Sequence, residues 1–500
     1  MSDFRDLFDL ASERLGGTAL YANDEFFADK ENLLKPGKPV WKEHEYTDRG
    51  KWMDGWESRR KRTPGHDFCI VRLGLPGVLH GVVVDTSYFR GNFPDGFSIE
   101  ACHASQDADV DALLSSDRKW VEILGKSKLA GDCENIFPIS HPLAFTHVRF
   151  NIFPDGGVAR LRLHGRVIPE WKRAGGLTNE IDLASVENGA EALTCSDMFF
   201  GSRQNLIMPG RAGNMSDGWE TKRRRGPGYD WVIVKLAAEG IVRRIEIDTN
   251  HFKGNYPDAA SIEGCRIEAD SSPESAEWTD VLPRTKLQAH TRHLFNEELV
   301  QRGPWTHLRL NVYPDGGVSR LRVHGLATEE ARHKAVVERI NTAAEVGELL
   351  EACCAAKAWV RAVAEQRPYA SWDQLVDRAD REWSTLPQRD WLEAFRAHPR
   401  IGERKAPAAQ SAVAASWSGQ EQASAGAASD EVMAQLTEAN REYEAKFGRT
   451  FIVCATGRSA GEILANARQR MSNSAEDELH VAAEEQRKIT RLRLEKLVTV

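Results

Sequence analysis

Residues 146–165 read T-H-V-R-F-N-I-F-P-D-G-G-V-A-R-L-R-L-H-G, and residues 306–325 read T-H-L-R-L-N-V-Y-P-D-G-G-V-S-R-L-R-V-H-G. Side chains alternate in the first part of each copy. His147, Arg149 and Asn151 point one way, while Val148, Phe150 and Ile152 point the other. That period of two marks a half-buried antiparallel strand, with the polar face expected to lie open to water. Pro154-Asp155-Gly156-Gly157 and its copy Pro314-Asp315-Gly316-Gly317 are turn chemistry, because glycine tolerates positive φ. A strand and turn that occur twice announce an internal duplication.

The duplication extends outward from this stretch. Residues 54–68, D-G-W-E-S-R-R-K-R-T-P-G-H-D-F, return at 217–231 as D-G-W-E-T-K-R-R-R-G-P-G-Y-D-W. V-D-T-S-Y-F-R-G-N-F-P at 84–94 returns as I-D-T-N-H-F-K-G-N-Y-P at 247–257, and A-L-Y-A-N-D-E-F-F at Ala19 returns as A-L-T-C-S-D-M-F-F at Ala192. The two units occupy 1–172 and 173–330, each large enough for one domain. Phe68–Leu73 and Val82–Asp85, with their counterparts Trp231–Leu236 and Ile245–Asp248, are rich in strand formers. Short strands between Gly, Pro and Asp turns predict an all-β sandwich or jelly roll in each unit.

Beyond Arg332 the pattern changes. Ile340–Leu350, Glu351–Glu365, Ser371–Trp383, Asp430–Lys446, Ser459–Met471 and Glu476–Val498 carry helical spacing of apolar residues, so an all-α domain is expected over 335–500. Ala406–Ala428, rich in Ala, Ser, Gln and Gly, reads as a loop or a weak helix.

Bulk composition narrows the function classes. The 500 residues are 41% apolar and 28% charged, with a net charge of −8, which argues against nucleic-acid binding. No run of eighteen apolar residues suggests a membrane span, and the N-terminus has no secretory h-region. Eight scattered cysteines without a C-x-x-C pair read as reduced thiols of a cytoplasmic protein. No His, Asp and Cys set has metal-ligand spacing, so no metal or cofactor is expected. The expected partners are small-molecule substrates and further copies of the chain in a homo-oligomer.

Four repeated features are candidates for chemistry. D-G-W-E places Asp54 and Glu57 (Asp217 and Glu220) beside Arg60 and Arg62 (Arg223 and Arg225). A carboxylate shifted by burial serves as general acid or base, and an arginine fork grips a carboxylate; a surface salt-bridge cluster is the competing account. Asp85 and Asn92, with Asp248 and Asn255, flank a glycine-bearing loop suited to close ligand approach or to a structural turn. The polar strand face at His147 (and at His307, Arg309 and Asn311) is a third candidate. His164 and His324 are a fourth, read as structural.

The combination D-G-W-E-x-x-R-x-R-x-P-G-x-D, V-D-T-x-x-F-x-G-N-x-P and T-H-x-R-x-N-x-x-P-D-G-G-x-x-R-L-R resembles the allantoicases over about residues 1–330. The resemblance implies two tandem jelly-roll (galactose-binding-like) sandwiches that hydrolyse allantoate to ureidoglycolate and urea. It leaves Glu57 or Glu220, Asp85 or Asp248, and His66 in the first copy only, as acid–base candidates. A tandem ligand-binding module, with Trp56 and Trp219 as sugar platforms, is the alternative.

In the helical part, W-L-E-A-F-R-A-H-P-R-I-G-E, S-W-S-G-Q-E-Q and F-G-R-T-F-I-V-C-A-T-G-R-S resemble 2-oxo-4-hydroxy-4-carboxy-5-ureidoimidazoline (OHCU) decarboxylases. The resemblance implies a cofactor-free decarboxylation to (S)-allantoin. It assigns His398 and Glu421 to catalysis and Pro399, Ser418, Gln422, the Ile452–Val453–Cys454–Ala455 backbone and Arg493 to substrate binding, with Arg491 the weaker arginine.

Overall fold

The computed structural model describes residues 3–267, 271–400, 412–421 and 430–499. It divides into two compact units, Met1–Ala331 and Arg332–Val500.

In the first unit each repeat is a sandwich wound on one very long strand. Phe68–Leu73 and Val82–Asp85 are not separate strands but the two ends of Asp67–Asp85; Asp230–Asp248 is the equivalent. The first half of Asp67–Asp85 pairs with Thr18–Ala22 and Ala144–Phe153, and the second half pairs with Arg160–Val167 and Glu134–Pro138. One strand therefore belongs to both layers, and the L-G-L-P-G segment between the ends is a bend rather than a stop. Bare backbone is needed there: a Cβ at Gly77 would come within 2.5 Å of the Arg166 carbonyl oxygen. Val71, Leu73, Val82 and Val84 are fully buried and join Phe97, Phe150, Leu161 and Leu163 in the core.

Ala144–Phe153 is an interior strand, hydrogen-bonded to Asp67–Asp85 on one side and Gly96–Cys102 on the other. This overturns the expectation that its polar face meets water. His147 is fully buried, with Nδ1 2.9 Å from Thr146 Oγ1, and burial pushes its pKa down to about 4. Arg149 and Asn151 converge on Glu100, Asn151 donating to it at 2.9 Å. Arg309 and Asn311 do the same to Glu263. The alternation was correct; the polar side is a hydrogen-bonded network between strands rather than a solvated surface, although His147 Nε2 and the Asn151 and Asn311 Oδ1 atoms are buried without a partner among the described residues.

Trp56 and Trp219 are also completely buried, their indole N–H groups donating to the Asp24 and Asp197 carbonyls at 2.8 and 2.9 Å. They are core anchors, so the sugar-platform alternative loses its aromatic surface.

The second unit is helical. Helices cover Val346–Cys353, Lys357–Glu365, Trp372–Thr385, Gln388–Arg396, Ala412–Glu421, Asp430–Phe447, Ala460–Arg470 and Ala475–Glu495. Ser371, Ser459 and Ser474 cap their helices by accepting the N3 amide, and Ser459 completes a capping box with Glu462. The run expected as one helix over Ile340–Leu350 is broken, since Glu329–Thr342 stops and Val346–Cys353 starts anew. Arg367 takes the Ile340 and Ala343 carbonyls at 3.0 and 2.8 Å, which satisfies the helix end from outside. No helix among the described residues is long and apolar enough to cross a membrane.

Candidate active sites

The repeated acids sit at one end of each sandwich because three backbone segments are stitched together there. Glu57 pairs with Gly157, the Gly157 amide donates to the Asn92 carbonyl at 2.7 Å, and the Ala159 amide donates to the Asp85 carbonyl at 2.7 Å. Glu57 and Asp85 therefore converge on residues 157–159. The turn that allows this needs its glycines: Gly156 has φ 141°, and a Cβ on Gly157 would fall 2.0 Å from the Phe89 ring. Repeat 2 copies the frame through Glu220, Gly317, Asn255 and Asp248, with Gly317 N to Asn255 O at 2.8 Å and Ser319 N to Asp248 O at 2.7 Å.

Asp54 is buried and bound by Arg160, whose Nη2 lies 2.7 Å from Oδ2. The rest of that guanidinium goes to backbone: Nη1 donates to the Asp54 and Ala159 carbonyls at 2.9 and 2.7 Å, and Nε to Gly37 at 3.0 Å. Burial alone would raise the Asp54 pKa, but hydrogen bonds from Arg160 and Val40 outweigh it and hold the carboxyl below its ordinary value. Asp217 and Arg320 repeat the pair at 3.0 Å. Sequence reading missed Arg160 and Arg320, although both close the duplicated P-D-G-G-x-x-R motif.

Glu57 is half-buried and accepts from Asn92 Nδ2 at 2.7 Å. Burial raises its pKa and the Asn92 bond opposes the rise only in part. Glu220 accepts from Asn255 in the same way. Arg60, Arg62, Arg223 and Arg225 are exposed, and among the described residues none forms an ion pair with Asp54, Glu57 or their copies. Their neighbours are the ones committed to structure, Arg59 to Asp24, Lys61 to Asp67, Lys222 to Asp197 and Arg224 to Asp230. His66 packs 4.8 Å from the Phe153 ring, and Tyr229 packs 4.9 Å from Tyr313, so the unequal pair does the same stacking. His164 holds the Leu7 carbonyl at 2.9 Å, a structural tie. Among the described residues, no group of three His, Cys, Asp or Glu is arranged to hold a metal ion.

In the helical unit one cleft collects most of the expected residues. His398, Pro399, Ser418, Glu421, Ile452, Val453 and Ala455 line it, with Phe451, Thr456, Ile489 and Leu492. Arg493, on the helix Ala475–Glu495, donates from Nη2 to Ser418 Oγ at 2.9 Å and to Glu421 Oε2 at 3.0 Å. Lys496 reaches Glu421 Oε1 at 2.8 Å. Glu421 is pushed up by burial and, more strongly, down by Arg493 and Lys496, and ends below its ordinary value. Burial, then the Arg493 charge, lowers the His398 pKa to about 3, so the imidazole is neutral near pH 7.

Two expected residues fall outside this set. Arg491 is exposed, leaving Arg493 as the arginine of the site. The Cys454 amide is already donated to Glu485 Oε2 at 2.8 Å, and Arg470 Nη1 holds the Ile452 carbonyl at 2.8 Å. The 451–455 backbone is thus fixed from behind. Gln422 lies outside the described residues. Gln486, Lys496 and Arg470 went unread because each lies on a helix with no motif attached, where a polar residue looks solvated.

The allantoicase repeat family matches residues 8–168 and 181–328, and the OHCU decarboxylase family matches 341–495. The chain is 50% identical over 323 residues to the allantoicase of Dictyostelium discoideum, covering 63% of this chain and 86% of that one. It is 47% identical over 331 residues to a probable allantoicase of Photobacterium profundum, covering 65% and 98%. A crystal structure of allantoicase from Saccharomyces cerevisiae superposes with a TM-score of 0.54 at 35% identity, over 64% of this chain and 96% of that one.

Proposed function

This chain belongs to the allantoicase family and carries an OHCU decarboxylase domain at 341–495, and on that premise we propose which of its residues perform the two reactions. It is a bifunctional enzyme of ureide catabolism. One part hydrolyses allantoate to (S)-ureidoglycolate and urea; the other decarboxylates OHCU to (S)-allantoin.

Hydrolysis needs a base for water and an acid for the departing nitrogen. The Glu–Asp set at the sandwich end, Glu57 with Asp85 or Glu220 with Asp248, supplies two carboxylates on one stitched frame. The exposed arginines Arg60 and Arg62, or Arg223 and Arg225, are uncommitted and available to the substrate carboxylate. Asn92 or Asn255 orients the glutamate.

Decarboxylation breaks a C–C bond, leaves its electron pair on the ring carbon, and releases CO2; the carbanion then takes a proton on one face. Arg493, with Ser418, receives the substrate anion, and Glu421 yields its hold on that guanidinium as the substrate carboxylate arrives. An anion beside His398 offsets the Arg493 charge and lets the imidazole take up the proton it later delivers. Pro399, Ile452, Val453 and Ala455 wall the cleft.

The convergence of His398, Ser418, Glu421 and Arg493 on one cleft carries the decarboxylase assignment, and the paired carboxylates on residues 157–159 carry the hydrolase assignment. Full-length protein incubated with allantoate is expected to release one urea per substrate consumed, and with OHCU to give optically active allantoin. Racemic allantoin at the spontaneous rate would refute the decarboxylase reading. All eight cysteines are free, which supports a cytoplasmic location, and a homo-oligomer is the assembly we propose.

A further inference from the structure

The two repeats share the frame of the site but not its charge state. In repeat 2, Arg211 Nη1 lies 3.1 Å from Asp248 Oδ2, so the aspartate at the strand end is already neutralised. Glu246, beside it, is gripped by Arg292 at 2.8 and 2.6 Å, with Arg211 a further 3.7 Å away. Asp217 is bound by Arg320 and by Arg14 of repeat 1, so this copy is tied into the contact between the sandwiches.

Repeat 1 keeps the Arg160–Asp54 pair but has no such lock on its strand-end aspartate. Among the described residues Asp85 accepts the Ser87 amide, at 2.8 Å, and has no ion-pair partner; it is buried, and the Arg162 charge acts on it from a longer range. Residues at the locking positions differ: Val83 stands where repeat 2 has Glu246, and Glu134 stands opposite Asp85 where Arg292 stands opposite Asp248. Lys38, at the Arg211 position, is exposed.

The walls differ too. Val40 caps Asp54 at 2.9 Å from fourteen positions away, whereas Gly213 caps Asp217 at 3.1 Å from four. The extra chain in repeat 1 forms the hairpin Tyr46–Thr47/Gly50–Lys51 and places Trp41, 45% exposed, 5.6 Å from Tyr88 on the loop that follows Asp85. Repeat 1 therefore has an aromatic pair on the loop after a buried carboxylate that no cation has closed upon. A buried carboxylate held without an ion pair is a group that a polar substrate can engage directly.

Resting on the allantoate reading, we propose that hydrolysis is carried by repeat 1 alone, with Asp85 and Glu57 as base and acid, while repeat 2 keeps the frame as an ion-paired scaffold. Asp85 takes a proton from water, whose oxygen bonds to the central carbon of allantoate. The C–N bond to one ureido group breaks, its electron pair goes to that nitrogen, and protonated Glu57 supplies the proton that completes urea. Burial, which raises the Glu57 pKa, favours the protonated form this step needs.

The test compares Glu57→Gln with Glu220→Gln in the full chain. E57Q is expected to lower urea release by about 100-fold or more, in the range of a lost general acid, and E220Q to change it by less than about threefold. Calorimetric titration of E57Q with allantoate is expected to give one site per chain. An equal fall in both variants, a larger fall in E220Q, undiminished release by E57Q, or two allantoate sites per chain would overturn the proposal. If either glutamine variant fails to fold, Asp85→Asn against Asp248→Asn makes the same comparison. Absence of urea from the unmodified protein would instead sink the allantoate reading itself.

Discussion

The two units hold an acid–arginine pair each way: Asp54 with Arg160 in the sandwich, Glu421 with Arg493 in the helical cleft. Both pairs are buried, with side-chain exposures of 7% and 3% for the first and 10% and 4% for the second. Their surroundings differ. Arg160 spends its remaining donors on the carbonyls of Gly37, Asp54 and Ala159, all fixed backbone. Arg493 spends its own on Ser418 and Glu421, side chains that line a cleft with His398. A guanidinium closed by backbone is a rivet, while one closed by movable side chains can change partners. The same ion pair therefore holds the fold in one unit and waits for an anion in the other.

The most severe way to break this contrast is at His398. Replacing it with alanine should lower OHCU decarboxylation by about 10³-fold, the middle of the range for a lost acid–base group. Urea release from allantoate should be unchanged, because the hydrolytic residues belong to the other unit. Parallel loss of both activities in a folded H398A protein would refute two independent centres.

Asp54→Asn tests the rivet. It leaves the Arg160 charge buried without its counter-ion, which should cost about 3–5 kcal/mol of stability in the first unit, read from denaturant unfolding. The sign of the pH dependence follows from the lowered Asp54 pKa. Its stabilisation is present above the unfolded value of 3.8 and is lost as pH falls through the lower folded value. The variant should therefore show a smaller acid destabilisation than the parent. A loss below about 1 kcal/mol would place this pair with ordinary surface bridges.

Glu421→Gln tests the exchangeable pair. Decarboxylation should fall by about 100-fold, typical of one charged group removed from a desolvated site. Unfolding of the helical unit should shift less than D54N shifts the sandwich, since Ser418 still accepts from Arg493. A stability loss matching that of D54N would make Glu421 a rivet as well.

The contrast also explains which residues could be read from the chain. Duplication, alternation and turn glycines are local signals that led to the sandwich, and helical spacing of apolar residues led to the helical unit. His398 and Glu421 were legible because they lie inside long motifs. Arg160 was not, because its partner Asp54 is 106 positions away and the arginines adjacent to Asp54 competed for the role. Burial misled in both directions: Trp56 looked like a platform and is core, and His147 looked solvated and is fully buried. Periodicity gives the face of a strand, but not what the next strand lays over it.

The smallest effect expected concerns Gln486, and it bears on how the cleft aims its histidine. The Gln486 amide is completely buried close to His398; its nitrogen donates to Thr490 Oγ1 at 3.1 Å, and its carbonyl oxygen has no hydrogen-bond partner among the described residues. An imidazole N–H turned to that oxygen during the reaction would fix the tautomer and present the other ring nitrogen to the cleft. A neutral hydrogen bond is worth about 0.5–1.5 kcal/mol, so Gln486→Leu should lower kcat for decarboxylation by roughly two- to twelvefold with little change in KM. Gln486 also raises the proton affinity of His398 against burial and Arg493. Its loss should move the acidic limb of the pH–rate profile to lower pH, and Gln486→Glu should move it higher. A purely packing role would lower activity without moving that limb, and would separate Gln486 from the chemistry of the cleft.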